Sequence, residues 1–429
     1  DNKIALYDMQ KRQIVKSDRS EYKLKYLATN QHLKHIAVSQ ASKEIYIYDY
    51  DLNLIQTITS DTTPTGLAYS DDGKQLIAGS LSRGIEELIN IYQTKKQYQL
   101  KSTFKKHIKT TLGVGFVDSQ TAVSAGGDNN EIYIWDIDST KARRKLVGVG
   151  NTVWSVGIKD NSIAWGNAYD ATIEDWRKKQ SPFQKSINLQ DYNINKLKDT
   201  NSQFNRNSIT NGRYSLSHVK GGDFGYKGAV LNILKSGNII SSIVRSATNG
   251  LGHNSYGWYK DFIISGGGNG YLTIYNIHGE KVASLVGHTS DVWSIAIDGD
   301  RLVSGGGDQT IKLWDLSVLS KNEASDKTLQ PMLSIFVSND NEWVMWSEKG
   351  YFTSSASGDK YVGYHINQGS NKEARYVSSD KYFDTLFRPD IIAAIWQTGS
   401  EEKAIAYANR TKKVKAVNIA VSLPPVVSL

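Results

Sequence analysis

The sequence predicts an all-β fold in which short antiparallel sheets repeat around an axis, and three observations point to it. Residues 285–316, "LVGHTSDVWSIAIDGDRLVSGGGDQTIKLWDL", hold three apolar runs: one through Ile295 and Ile297, one at Leu302 to Ser304, and one closing on Trp314-Asp315. Tight turns separate these runs, which is the signature of three consecutive strands. The closing aromatic then recurs as Tyr7, Tyr48, Tyr92, Trp135, Trp176, Tyr275 and Trp314, at spacings of 41, 44, 43, 41, 99 and 39 residues. Blade-type repeats have a period of about 40 to 45 residues. Lastly, "LAYSDDGKQLIAGS" centres a two-strand hairpin signal on Asp72-Gly73. The 99-residue gap is most simply two units plus a polar insertion, with the missing closing strand near Val230 to Ile233. Eight units result, with seven as the alternative.

Four residue types recur inside the pattern. A loop His, a strand Ser, a turn Asp and a strand Trp stand at His288, Ser304, Asp308 and Trp314, and again at His107, Ser124, Asp128 and Trp135. A buried indole N–H or imidazole needs a partner, and such a chain of groups gives each one. With these residues the chain resembles the WD-repeat β-propeller family. The resemblance implies that both sets are structural tetrads and that each unit is one blade of a propeller.

In chain order, residues 3–17 read as the last two strands of a first blade. Its completing strands are expected at Met332 to Val337 and Glu342 to Trp346, so that N- and C-terminal strands close the ring and hide its edges. Residues 21–58 form the second blade, with alternation through Ile45 and Ile47, and 63–104 the third; both carry degraded tetrads. The fourth, 107–147, restores the full set. Residues 151–190 form the fifth, where Val153-Trp154-Ser155 echoes Val292-Trp293-Ser294, with Asp170 in its turn and Trp176 closing. Residues 191–225 are rich in Asn, Ser and Gly and read as a worn sixth blade with a long surface insertion. The seventh, 250–285, substitutes Ser265, Asn269 and Tyr275, and the eighth is 286–318.

After Lys349 the character changes. Helical patterns appear near Asp380 to Leu386, Pro389 to Trp396 and Glu401 to Asn409, and Arg388-Pro389-Asp390 sets a Pro at a first helical position. The expected division is a propeller over 1–349, a mixed helical extension over 350–415, and the start of a linker or following domain over 416–429. The runs "EWVMWSEKGYFTSS", "YVGYHIN" and "FRPDII", within 342–391, resemble the segment that follows the propeller in bacterial WD-repeat proteins bearing a caspase-like peptidase domain. That resemblance implies an immunoglobulin-like module and a His/Cys peptidase further along. With no cysteine in the chain, no protease activity carries over to these residues.

Composition narrows the function classes. Cysteine is absent, which removes disulfides, thiolate metal sites and a cysteine nucleophile and leaves the compartment open, an extracytoplasmic one such as the periplasm being favoured. A start at Asp1 without Met fits a trimmed or processed chain. No apolar run approaches the ~18 residues that cross a bilayer. Net charge is +8, yet the basic runs at Lys105-Lys106, Lys141 to Lys145, Arg177 to Lys179 and Arg410 to Lys415 fall on different outer turns and the tail. Charge there blunts sheet edges, so an edge role is favoured over a nucleic-acid or acidic-surface footprint.

No Gly-x-Ser-x-Gly elbow, phosphate loop or His-Glu-x-x-His helix occurs, and His32 with His35 lacks supporting ligands. The glycine runs at 266–268 and 305–307 precede hairpin turns, not helices. Carboxylate pairs such as Asp71-Asp72 and Glu86-Glu87 leave a propeller hydrolase as an alternative. The more informative constellation is aromatic. Trp154 and Trp293 begin first strands at the loop-rich rim, where Trp dominates binding hot spots, and His253 and Trp258 are further candidates of the same kind. The expectation is a non-catalytic scaffold without cofactor or metal, binding a protein, a peptide or a later domain of its own full-length chain.

Overall fold

A computed structural model describes residues 2–20, 24–40, 42–81, 88–107, 110–127, 131–168, 181–197, 203–222, 226–246, 248–319, 327–369 and 371–411. The chain divides into two compact units, Asp1–Val149 and Gly150–Leu429.

In the first unit, alternation does what the sequence predicts. The strand Glu44–Asp49 turns Ile45 and Ile47 inward to complete burial. It is the third strand of a four-stranded antiparallel sheet that begins at Leu24–Asn30 and ends at Leu54–Thr59. Two more four-stranded sheets follow, Thr63–Tyr69 to Gln99–Phe104 and Thr111–Phe116 to Ala142–Leu146. The Asp72-Gly73 turn forms as expected. Gly73 has φ +67°, and its carbonyl accepts a hydrogen bond of 2.7 Å from the buried Asn30 amide. Sheets stack through apolar faces: Ile77, Ile89, Ile91 and Phe104 of one meet Ala122 and Trp135 of the next in a single cluster. Each such buried aliphatic side chain contributes about 1.5–3 kcal/mol.

The N-terminal hairpin, Lys3–Asp8 with Gln13–Arg19, is a two-stranded sheet. Its expected completion is corrected by the second unit. There Leu333–Val337 is hydrogen-bonded on one edge to Thr310–Asp315 and on the other to Trp343–Trp346, which pairs in turn with Phe352–Ser354. Both edges of each candidate completing strand are therefore occupied by neighbours in their own sheet. They extend the eighth blade to six strands.

The other sheets of the second unit are the fifth, Ser155–Lys159 to Ile194–Lys196; the sixth, Tyr214–Gly221 to Asn238–Val244; and the seventh, Ser255–Tyr259 to Lys281–Val286. A short parallel strand, Lys327–Leu329, adds to the outer edge of the seventh. One reading needs revision. The third strand of the fifth blade is Lys185–Asn188, while Asp170 and Trp176 lie outside the described residues. The closing strand expected near Val230 to Ile233 does form, inside Tyr226–Lys235.

Innermost segments of this unit neighbour one another in a cycle. Ile158 exchanges backbone hydrogen bonds of 3.0 and 2.8 Å with Asn205; the Trp258 amide donates to Ser208 O at 2.9 Å; Val292 N donates to Gly267 O at 3.0 Å; and Val153 N donates to Gly306 O at 3.1 Å. The fifth blade therefore touches the sixth and also the eighth. A single circuit of eight blades in chain order does not provide for that second contact, and this expectation is revised within the unit.

The tail belongs to the same core. Helices α1 (Phe383–Leu386), α2 (Pro389–Thr398) and α3 (Glu401–Thr411) follow the hairpin Gly363–Ile366 with Arg375–Ser378. One apolar cluster joins Trp165 and Val156 of the fifth blade, Leu313 and Ile335 of the eighth, and Ile391, Ile392 and Ile395 of α2. Residues 416–429 lie outside the described residues. No described helix is long and apolar enough to cross a membrane.

Candidate functional site

The eighth blade builds its tetrad in full. Trp314 Nε1 donates to Ser304 Oγ at 2.9 Å, and Ser304 Oγ lies 2.8 Å from His288 Nε2. His288 Nδ1 lies 2.9 Å from Asp308 Oδ1. Burial pushes the His288 imidazole below its ordinary value despite the facing carboxylate, so the ring is neutral. The tautomer follows from the network: Nδ1–H donates to Asp308 and Nε2 accepts from the serine hydroxyl. Burial alone would raise the Asp308 carboxyl, but hydrogen bonds from His288, the Thr289 amide and Thr310 bring it down to about 2. His288, Ser304 and Trp314 are buried and the Asp308 side chain is 8% exposed, so the network's bonds go to holding the blade together.

In the fourth blade His107 Nε2 meets Ser124 Oγ at 2.9 Å and Trp135 Nε1 donates to the same oxygen at 3.2 Å. Asp128 lies outside the described residues. A carboxylate that spacing did not single out is buried here: Glu131 sits 4.0 Å from His107 Nδ1 and 2.6 Å from Lys145 Nζ.

Trp154 and Trp293 are brought together. Their ring centroids are 4.8 Å apart with planes inclined at 34°, and both side chains are half-buried. The first strands of the fifth and eighth blades lie side by side here, so two residues 139 positions apart share one spot. The loop before Trp154 is braced by Asn167, whose Nδ2 donates to Asn151 O at 3.3 Å and Thr152 O at 3.1 Å while its Oδ1 accepts from Trp165 Nε1 at 3.1 Å. Beneath Trp293, Gly307 leaves space: a Cβ there would stand 3.3 Å from the indole nitrogen and 2.8 Å from Ser290 Oγ. Asp291 precedes this strand; burial pushes its carboxyl up, and Asn254 Nδ2 donates to it at 3.2 Å. Close by in sequence, Gly150 packs on Phe336, which meets Tyr361 edge-on at 5.5 Å.

His253 and Trp258 do not share this position. His253 is fully buried, with Nδ1 2.7 Å from Ser265 Oγ and Nε2 3.1 Å from Ile243 O, so it is the structural histidine of the seventh blade. Trp258 is 5% exposed and its Nε1 donates to Ile209 O at 3.2 Å. Both leave the rim set because their polar atoms are spent inside the fold. No sequence signal marks Asn167, whose role comes entirely from the chain's path around it.

Of the chemistry weighed from sequence, His32 and His35 have separate partners, Asp71 O at 2.8 Å and the Tyr98 hydroxyl at 2.8 Å. Among the described residues no group of three His, Cys, Asp or Glu side chains could hold a metal ion. Asp72 caps its own turn through Ser70 Oγ and the Lys74 amide, and Glu86-Glu87 lies outside the described residues. The basic strand Ala142–Leu146 is largely neutralised in place, Arg143 by Asp136 at 2.6 Å and Lys145 by Glu131.

Comparison with known proteins fits this geometry. Residues 279–315, covering the eighth blade's tetrad, match the family described as "WD domain, G-beta repeat". Protein FIZZY-RELATED 1 of Arabidopsis thaliana is 21% identical over 303 residues, 69% of this chain and 51% of that protein. B-type cell cycle switch protein ccs52A of Medicago truncatula is 23% identical over 248 residues, 56% of this chain and 41% of that protein. The WD repeat-containing protein pop2 of Schizosaccharomyces pombe is 41% identical over 59 residues, 14% of this chain and 8% of that protein. The chain thus spans about half the length, or less, of these relatives. Residues 279–315 thus carry a WD-repeat match, within the antiparallel sheets of an all-β propeller architecture.

Proposed function

We propose that the chain is a non-catalytic recognition platform whose loop-side surface at Trp154 and Trp293 binds a protein or peptide. The observation that carries this reading is the half-buried, closely packed indole pair, planes tilted by 34°, contributed by two separate blades. Two large rings fixed by neighbouring backbones lose little side-chain freedom when a partner covers them, which is how aromatic anchors come to dominate interfaces. Supporting it are the WD-repeat match and relatives named as cell-cycle and WD-repeat proteins. The tail motifs within 342–391 favour a place beside a bacterial caspase-like peptidase, with this chain sensing or targeting for it, and an extracytoplasmic setting goes with that reading.

Peptide display on the intact chain tests the proposal. Selection in parallel on the wild type and on Trp154→Ala plus Trp293→Ala should enrich peptides that the double variant fails to hold. Each lost anchor is worth ~2 kcal/mol or more, a thirtyfold drop in affinity. Equal recovery of the same peptides by both proteins would sink the indole-pair reading.

A further inference from the structure

We propose that Trp396, in the tail helix α2, is a positioning residue that sets the tilted packing of Trp154 on Trp293 from the opposite end of the strands that carry them. The inference deepens the recognition reading and rests on the same indole pair, but it concerns the rings' geometry before any partner binds.

The fifth and eighth blades are joined at three levels beside their first strands, Ser155–Lys159 and Val292–Asp298, only the middle one lying within both strands. Near the loop end Val153 N donates to Gly306 O at 3.1 Å; midway Val156 N donates to Ser294 Oγ at 3.0 Å; at the turn end Asp160 N donates to Asp298 Oδ2 at 3.3 Å. Below the last of these sits Trp396, 6% exposed. Its Nε1 donates to Asn161 Oδ1 at 2.8 Å, in the turn that ends the fifth blade's first strand. Its carbonyl accepts from Arg301 Nη2 at 2.9 Å, just past the turn that ends the eighth blade's first strand. Arg301 also stacks over the Trp396 ring at 5.2 Å and reaches Asp315 at 3.5 Å. One residue thus grips both turns.

Local sequence holds Trp396 there. Pro389 opens α2, and Ile391, Ile392 and Ile395 bury in the common core. Gly399 ends the helix at φ +68°, pressed so closely on Asp315 and Arg301 that a side chain would displace the grip. From Asp160 back to Trp154 is six strand residues, ~20 Å. Blades bonded at three levels move as a unit, so a tilt or slip at the turns reaches the indoles as a change in ring overlap. Close-packed interiors transmit such strain because they cannot deform smoothly.

The exciton couplet of closely packed indoles in far-ultraviolet circular dichroism reads that overlap without a ligand. In the full-length chain, the signal lost in Trp154→Phe identifies the pair's contribution. Asn161→Ala removes no chromophore, and it should reduce that contribution roughly two-fold or more, with Trp396→Ala at least as severe and Trp396→Phe milder. Should Trp396→Ala fail to fold, Asn161→Ala, altered in a half-exposed turn, still decides the matter. An undiminished couplet in Asn161→Ala, even with a lowered melting temperature, would overturn the proposal and leave the tail a purely stabilising role. Since the couplet needs no peptide, failed peptide selection and failed coupling remain separate results.

Discussion

The seventh and eighth blades begin from the same histidine and serine and satisfy them differently. In the eighth, His288 reaches Ser304 through Nε2 and donates Nδ1–H to Asp308. In the seventh, His253 reaches Ser265 through Nδ1, and its other nitrogen faces the Ile243 carbonyl. The turn residue explains the reversal: Asn269 stands where the eighth blade has an aspartate, and it accepts the Tyr271 amide at 3.3 Å. Without an anion to receive it, the imidazole N–H goes to the nearest backbone acceptor, on the last strand of the sixth blade. A cation enters the same neighbourhood. Arg245, 1% exposed, gives its guanidinium to Asn249 O at 2.8 Å and Ser265 O at 2.9 Å, and burial lowers its pKa. One blade is therefore tied together by its own aspartate, the other by groups borrowed from the blade before it.

The strongest way to break this contrast is to remove the anion. Asp308→Ala strands the N–H of the buried His288 and takes away the acceptor shared by the amides of Thr289 and Thr310. We expect a loss of about 3 kcal/mol, read as a lower denaturant midpoint and as faster amide exchange in Thr310–Asp315. Asn269→Ala, at an exposed turn, should cost well under half of that. Equal losses would mean that the aspartate is not what distinguishes the two blades.

Acid should sharpen the contrast more gently. His288 and His107 both titrate below their ordinary value because of burial, so the unfolded chain binds protons near pH 6.5 that the folded chain refuses. Stability from these groups is full above that pH and falls as the medium is acidified towards the folded values, by up to ~1.4 kcal/mol per pH unit for each histidine. Asp308, lowered to about 2, adds a contribution present above about pH 4 and lost as pH falls through 2. His288→Gln should flatten the decline in denaturant midpoint between pH 6.5 and 5. An unchanged slope would count against a neutral buried imidazole.

The same pair of blades shows how far a sequence can be read. His288, Ser304, Asp308 and Trp314 were legible because spacing and strand pattern both demand them, and each meets its expected partner. His253 belongs with Ser265, Asn269 and Tyr275, whose substituted pattern is legible, yet the Gly-rich entry around it reads as rim; Arg245, the group nearby, comes from another blade and carries no motif. The meeting of Trp154 with Trp293 was foreseeable only as two similar positions. That they touch depends on the fifth blade lying beside the eighth, a matter of how blades neighbour one another and not of any local preference. The expected ring closure failed for a related reason: strands at Leu333–Val337 and Trp343–Trp346 have ordinary strand patterns, and pattern does not say which edge a strand will choose.

The smallest effect probes the borrowed arrangement directly. Arg245 Nη1 and Asn269 Oδ1 both lie 2.7 Å from the Cβ that Gly250 would carry, and so stand no more than 5.4 Å apart. Asn269→Asp would set a carboxylate within reach of a buried guanidinium that has only carbonyl and hydroxyl acceptors among the described residues. Because position 269 is exposed, the new charge keeps most of its hydration, and a gain of about 1 kcal/mol follows from the charge-assisted contact. Added salt should erode that gain, since one partner faces solvent. A stabilisation that persists at high salt would instead indicate that the new aspartate has drawn the His253 N–H away from Ile243 and rebuilt in the seventh blade the network of the eighth.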